Sequence, residues 1–72
     1  MEKKRLIEIL INDAPEQVAV DSSLEILIRH FQEGDLDLIV ELNGRFVYPR
    51  MYAATIVKQG DRLEFINPNF GG

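Results

Sequence analysis

The sequence has no cysteine. That excludes a disulfide framework, a thiolate metal site and a cysteine nucleophile, and leaves stability to packing. Basic charge is scarce as well: eight Lys and Arg stand against twelve Asp and Glu, for a formal net charge of -4. Nucleic-acid binding draws most of its affinity from clustered Lys and Arg, so no nucleic-acid partner is expected. An acidic domain more naturally meets basic protein surfaces. The one basic run, Lys3-Lys4-Arg5, is short and reads as the solvated lead-in to a strand. It runs into only about seven strand-like residues, too few to span a bilayer, with no small-residue cleavage site. No membrane partner is expected, and the expected location is cytoplasmic.

Histidine is limited to His30, which has no partner for proton transfer in view and reads as a favourable charge near a helix C-terminus. Ser22 and Ser23 therefore lack the residues that would activate a nucleophile. The glycines before the C-terminus are isolated, so no phosphate-binding loop is present. Asp35 and Asp37 resemble the start of a calcium loop but lack its glycine and distal glutamate, and read as loop solvation. No bound metal or cofactor is expected.

What is there is a chain of 72 residues with 46% hydrophobic and 28% charged residues, enough apolar material for one core and too little interior for two. Residues 1–67 are expected to form a single domain and residues 68–72 a flexible tail. No internal repeat or low-complexity stretch interrupts it.

Arg5 to Ile11 is rich in β-branched residues and stops at the turn-favouring Asn12-Asp13-Ala14-Pro15; Glu16 to Val20 returns as a second strand. Ser22-Ser23-Leu24-Glu25 has capping-box spacing, with Ser22 as the cap and Glu25 reaching back. Leu24, Leu27, Ile28 and Phe31 then form a helical stripe that Gly34 can terminate. Asp37 to Leu42 reads as a third strand, Asn43-Gly44 as a tight hairpin turn, and Arg45 to Tyr48 as a short strand ended by Pro49. Arg50 to Val57 has room for a short helical turn, and Arg62 to Ile66 alternates as the last strand.

This order suits an α+β fold, a twisted mixed sheet of four to five strands with one main helix across one face. Period-two sorting sends Ile7, Ile9, Ile11, Leu38, Val40, Leu42, Leu63 and Phe65 toward the helix. Leu6, Leu10, Ile39 and Ile66 then face the other way, among Glu8, Glu41, Arg62 and Glu64. Such a face is either a protein-binding surface or a scatter of ordinary exposed aliphatics.

After Ile66 the chain changes to Asn67-Pro68-Asn69-Phe70-Gly71-Gly72. Taken alone, a Gly-Gly end reads as a frayed terminus. Its other use follows from the missing Cβ atoms: such a chain threads a narrow channel and presents its carboxylate to another protein's active site. Five extended residues from Pro68 reach about 16 Å.

Glu41-Leu42-Asn43-Gly44, then Phe46-Val47, Pro49, Tyr52, Gly60-Asp61-Arg62-Leu63-Glu64-Phe65 and Gly71-Gly72 together resemble the ThiS/MoaD family of ubiquitin-like sulfur carriers, in particular its thiamine branch. The resemblance is strongest from Val40 to Gly72; the first half matches in pattern. It implies a β-grasp fold. It also implies that an adenylating enzyme related to ubiquitin-activating enzymes joins AMP to Gly72 with its own ATP and magnesium, and that sulfur from a donor protein replaces the AMP. The thiocarboxylate would then supply a thiazole synthase or another sulfur acceptor, the chain being a co-substrate and not an enzyme. Asn67-Pro68-Asn69-Phe70 departs from the more aliphatic run usual in such carriers; Pro68 stiffens it, and Phe70 either plugs a partner's channel mouth, with Gly71, or folds back on the sheet. The alternatives are a carrier for molybdopterin or another sulfur metabolite, a covalent modifier joined to lysines through Gly72, and a passive module using the Leu6, Leu10, Ile39 and Ile66 face.

Overall fold

The computed structural model describes residues 5–32 and 37–68. The expectations placed on Lys3-Lys4, Gly34, Asp35, Phe70, Gly71 and Gly72 lie outside the described residues.

Strand β1 (Leu6–Ile11) turns back into β2 (Ala14–Ala19) through two residues, Asn12 and Asp13. Both have positive φ, 49° and 69°, the arrangement a tight hairpin of right-twisted strands requires. The second strand thus begins two residues earlier than its composition suggests and contains Pro15. Proline is tolerated because β2 is an edge strand and Pro15 owes no ladder bond on its open side.

Helix α1 (Leu24–Phe31) follows. Its cap is Ser23, whose hydroxyl accepts from the Ile26 N–H at 3.2 Å. Ser22, the expected cap, instead donates its hydroxyl to the Ala19 carbonyl at 2.6 Å. The capping box is therefore displaced by one residue, and the position that would reach back is Ile26, which has no polar group to do so. Leu24 and Leu27 are buried, and Ile28 and Phe31 pack against the core, as the stripe requires.

The second hairpin joins β3 (Ile39–Leu42) to β4 (Arg45–Val47) through Asn43-Gly44, with φ of 53° and 82°. A short 3₁₀ turn, Pro49–Met51, follows, starting at the proline one residue ahead of the Arg50–Val57 segment expected to hold it. From there the chain crosses beneath the helix start: Leu24 N–H bonds to the Thr55 carbonyl, Val57 N–H to the Ser22 carbonyl, and Ser23 bridges Ile56. Strand β5 (Arg62–Ile66) then enters the sheet, whose order is β2-β1-β5-β3-β4. The β1–β5 pairing is parallel and the others are antiparallel.

The core lies between helix and sheet. Ile9, Ile11, Val40, Leu63 and Phe65 are buried there as alternation predicts, while Ile7, Leu38 and Leu42 are only partly buried. Val18 and Val57 complete it. Tyr52 packs at its margin, and burial raises its phenol above the ordinary 10.0.

Two measurements test this packing. Ser23→Ala should cost about 1 kcal/mol in urea unfolding, whereas Glu25→Ala should cost about 0.3 kcal/mol, a dipole contribution alone; the reverse ranking would contradict the displaced cap. The raised Tyr52 phenol means that the folded chain keeps a proton the unfolded chain releases, so stability is untouched at neutral pH and falls as pH rises past the ordinary tyrosine range. Tyr52→Phe should flatten that alkaline decline.

Candidate functional site

Strand β5 is the strand that leads to the C-terminal segment. It lies between β1 and β3, so the segment beginning at Asn67 leaves from the middle of the sheet. Its last residue, Ile66, stands directly opposite Ile39 of β3. One residue before it, Phe65 is gripped from the other side by the Asn12 side chain, which accepts from the Phe65 N–H at 2.9 Å and donates to its carbonyl at 3.3 Å.

The sheet face turned away from the helix has its aliphatics spread along it. Ile39 and Ile66 pair at the end where β5 hands over to the C-terminal segment. Glu41 and Glu64 stand opposite each other at the next level, and Leu10 lies beside Arg62 beyond them. Leu10 is therefore four residues along the strand direction from Ile66, about 13 Å away at 3.3 Å per residue. Leu6 is a further four residues back, opposite Ala19 and 59% exposed. Of the four aliphatics that alternation puts on this face, only Ile39 and Ile66 are brought together.

The apolar end is larger than those two residues, because Phe46 lies opposite Glu41 and so shares this face. Its ring meets Tyr48 edge-on, with centroids 4.8 Å apart, and the Arg50 guanidinium sits 5.0 Å from the Tyr48 centroid. Phe46 is 49% and Tyr48 55% exposed, well above what a closed core leaves showing. Sequence reasoning assigned both to a strand without choosing a face. The signal was available: a two-residue Asn43-Gly44 turn pairs Leu42 with Arg45 and Glu41 with Phe46.

The residues within the body whose side chains could do chemistry have structural tasks. Ser22 and Ser23 are buried and spend their hydroxyls on Ala19 and Ile26. His30 is exposed, with its ring edge-on to Phe31. Among the described residues no group of His, Asp and Glu is placed to hold a metal ion, and no helix is long and apolar enough to cross a membrane.

The model of the ThiS family matches residues 5–72. The chain belongs to the ThiS family. The match runs through Gly71 and Gly72, so the Gly-Gly end lies inside the family's span. Among solved structures, this ThiS-family chain is similar to the thiamine biosynthesis protein (ThiS) from Geobacter metallireducens, with 28% identity and a TM-score of 0.76 over 83% of this chain and 91% of that one. The five-stranded mixed sheet with one helix is accordingly the β-grasp fold. No curated protein matches the chain significantly. Family membership supports the role of a small sulfur carrier rather than an enzyme.

If the Ile39–Ile66 end of the sheet is a contact surface and not part of the core, truncating it should barely affect folding. Phe46→Ser and Ile66→Ser should each cost less than about 1 kcal/mol in urea unfolding, whereas Phe65→Ala should cost about 3 kcal/mol or more. A loss at Phe46 equal to that at Phe65 would show that Phe46 supports the fold.

Proposed function

We propose that the ThiS-family chain carries sulfur on the carboxylate of Gly72, with residues 1–67 as the folded body and residues 68–72 as the arm that presents it. The observation that carries this reading is the family match running through Gly71-Gly72 in a chain whose central strand β5 ends at Ile66, six residues before Gly72. Bare glycine at the last two positions leaves the acyl carbon open on all sides and lets the arm enter a narrow channel.

In the proposed cycle an adenylating enzyme binds ATP and magnesium, and a Gly72 carboxylate oxygen attacks the α-phosphorus, releasing pyrophosphate. Hydrosulfide delivered by a sulfur donor protein then attacks the acyl carbon and loses its proton. AMP leaves with one of the original carboxylate oxygens, and the thiocarboxylate passes its sulfur to an acceptor, a thiazole synthase in the thiamine pathway. Similarity to a thiamine biosynthesis protein, the one from Geobacter metallireducens, favours that acceptor over a molybdopterin one. All these steps belong to a cytoplasmic protein that supplies a substrate and no active site.

The adenylating enzyme is proposed to dock on the open face at its apolar end, where the Ile39–Ile66 pair precedes the arm and Phe46, in contact with Tyr48, lies on the same face. Leu10 and Leu6 lie farther along the same face, with Glu8 and Glu64 among them, and suit a rim that meets basic side chains.

Intact-protein mass spectrometry tests the reading. After incubation with the adenylating enzyme, ATP and a sulfur donor, the mass should change by one oxygen replaced by sulfur, localised to Gly72, and a chain lacking Gly71-Gly72 should show no change. A terminus that stays a carboxylate while the partner activates another carrier would refute the proposal. Adducts joined to lysines of other proteins through Gly72 would favour the modifier reading instead.

A further inference from the structure

We infer that Asn12, on the hairpin turn at the opposite end of the sequence, is a positioning residue for the C-terminal carboxylate: its side chain fixes where β5 ends and hence where the arm begins. The inference rests on the carrier reading above, whereas the contacts of Asn12 hold whatever the arm carries.

The parallel register pairs Leu10 with Arg62 and Ile11 with Leu63. Along that ladder Leu10 N–H donates to the Asp61 carbonyl and Asn12 N–H donates to the Leu63 carbonyl, each at 2.9 Å. In a strand that continued, the next bond would run from Phe65 N–H to the backbone carbonyl of Asn12. The chain cannot continue there, because Asn12 and Asp13 turn with positive φ into β2. The side chain completes the ladder instead. Asn12 Oδ1 accepts the Phe65 N–H at 2.9 Å, and Nδ2 donates to the Phe65 carbonyl at 3.3 Å, so one amide side chain stands in for a peptide unit.

This substitution prolongs β5 past the end of its parallel neighbour. On the other side β3 pairs Val40 with Phe65 and Ile39 with Ile66, so β5 is held through Phe65 on one edge and through Ile66 on the other. Without the Asn12 amide, β5 would keep one neighbour from Phe65 onward. Held on that single edge, Ile66 and Asn67 at the strand end would fray more readily, adding two residues, about 7 Å of slack, to an arm whose five residues reach about 16 Å when extended. Fraying would also separate Ile66 from Ile39 at the proposed docking end. A carboxylate must meet the α-phosphorus in line, and small displacements of a reacting group are costly.

The chemistry of residue 12 is accordingly specific. The position needs a side chain that tolerates φ of 49°, accepts at one atom and donates at another. Asparagine does all three. Glycine keeps only the backbone freedom, and aspartate keeps the acceptor but sets a carboxylate against the Phe65 carbonyl.

The test uses the full-length chain as Asn12→Gly and Asn12→Asp, with the adenylating enzyme and ATP, followed by pyrophosphate exchange. Amide hydrogen exchange is measured at Phe65 in parallel. In Asn12→Gly, exchange at Phe65 should rise while that at Val40 stays slow, and kcat at saturating carrier should fall about 10-fold or more. Asn12→Asp should lie between glycine and the unchanged chain at Phe65. A role in stability alone predicts something different: less folded carrier raises the apparent KM, and kcat recovers at saturation. That pattern, or unchanged exchange at Phe65, overturns the inference. If Asn12→Gly does not fold, the Asn12→Asp comparison decides by the same two readouts. Failure of the unchanged chain to be adenylated overturns the carrier reading and this inference together, whereas normal kcat in both variants overturns this inference alone.

Discussion

The parallel contact between β1 and β5 is the seam that makes two hairpins into one sheet. It has only two paired positions, Leu10 with Arg62 and Ile11 with Leu63, and parallel pairing is the less stable kind per residue. Turn chemistry reinforces it at both ends. At one end Gly60 N–H donates to the Glu8 carbonyl, and Gln59 Oε1 accepts the Glu8 N–H. At the other the Asn12 amide takes both polar groups of Phe65. Ile9, Ile11, Leu63 and Phe65 bury their side chains behind this seam, against Leu24 and Leu27 of the helix. The helix, the core and the exit point of the C-terminal segment all depend on its register.

A second network sets that register from the β3 side. Asn43 has φ of 53° in the β3–β4 turn; its side chain accepts the Arg62 N–H at 2.9 Å and donates to Asp61 Oδ1 at 3.0 Å. Asp61 in turn accepts the Lys58 N–H. Two asparagines, each the first residue of a hairpin turn, thus clamp opposite ends of β5, Asn43 at its start and Asn12 near its finish. Both do so with side-chain amides where the neighbouring backbone has turned away.

Local chemistry made much of the fold legible. The Asn43-Gly44 turn, the alternation from Arg62 to Ile66 and the stripe from Leu24 to Phe31 each state one period or one turn, and the structure has all three. The places that escaped depend on neighbours distant in sequence. Pro15 fits in β2 only because that strand lies at an edge, and Val57 is buried from an irregular segment with no period to reveal it. Ser22 and Ser23 are both good caps, and the choice between them follows from where Ser22 can reach the Ala19 carbonyl. The candidate surface shows the same division. Parity put Leu6, Leu10, Ile39 and Ile66 on one face, but their spacing across strands follows from the parallel offset, which separates Leu6 and Leu10 from the other two. The Gly-Gly end was read from a resemblance, and the family match spans it.

The architecture suggests why a body so small suffices for a carrier. The arm begins beside apolar residues and at the centre of the sheet, so a partner that grips the open face also sets the origin of the arm. The central claim is that the Gly72 carboxylate itself becomes the acyl group that accepts sulfur. The most direct test labels that carboxylate with heavy oxygen and follows the label through one round with the adenylating enzyme, ATP and a sulfur donor. One labelled oxygen in the released AMP, with sulfur in its place on Gly72, is the predicted result; AMP without label, or label fully retained on Gly72, would contradict the account.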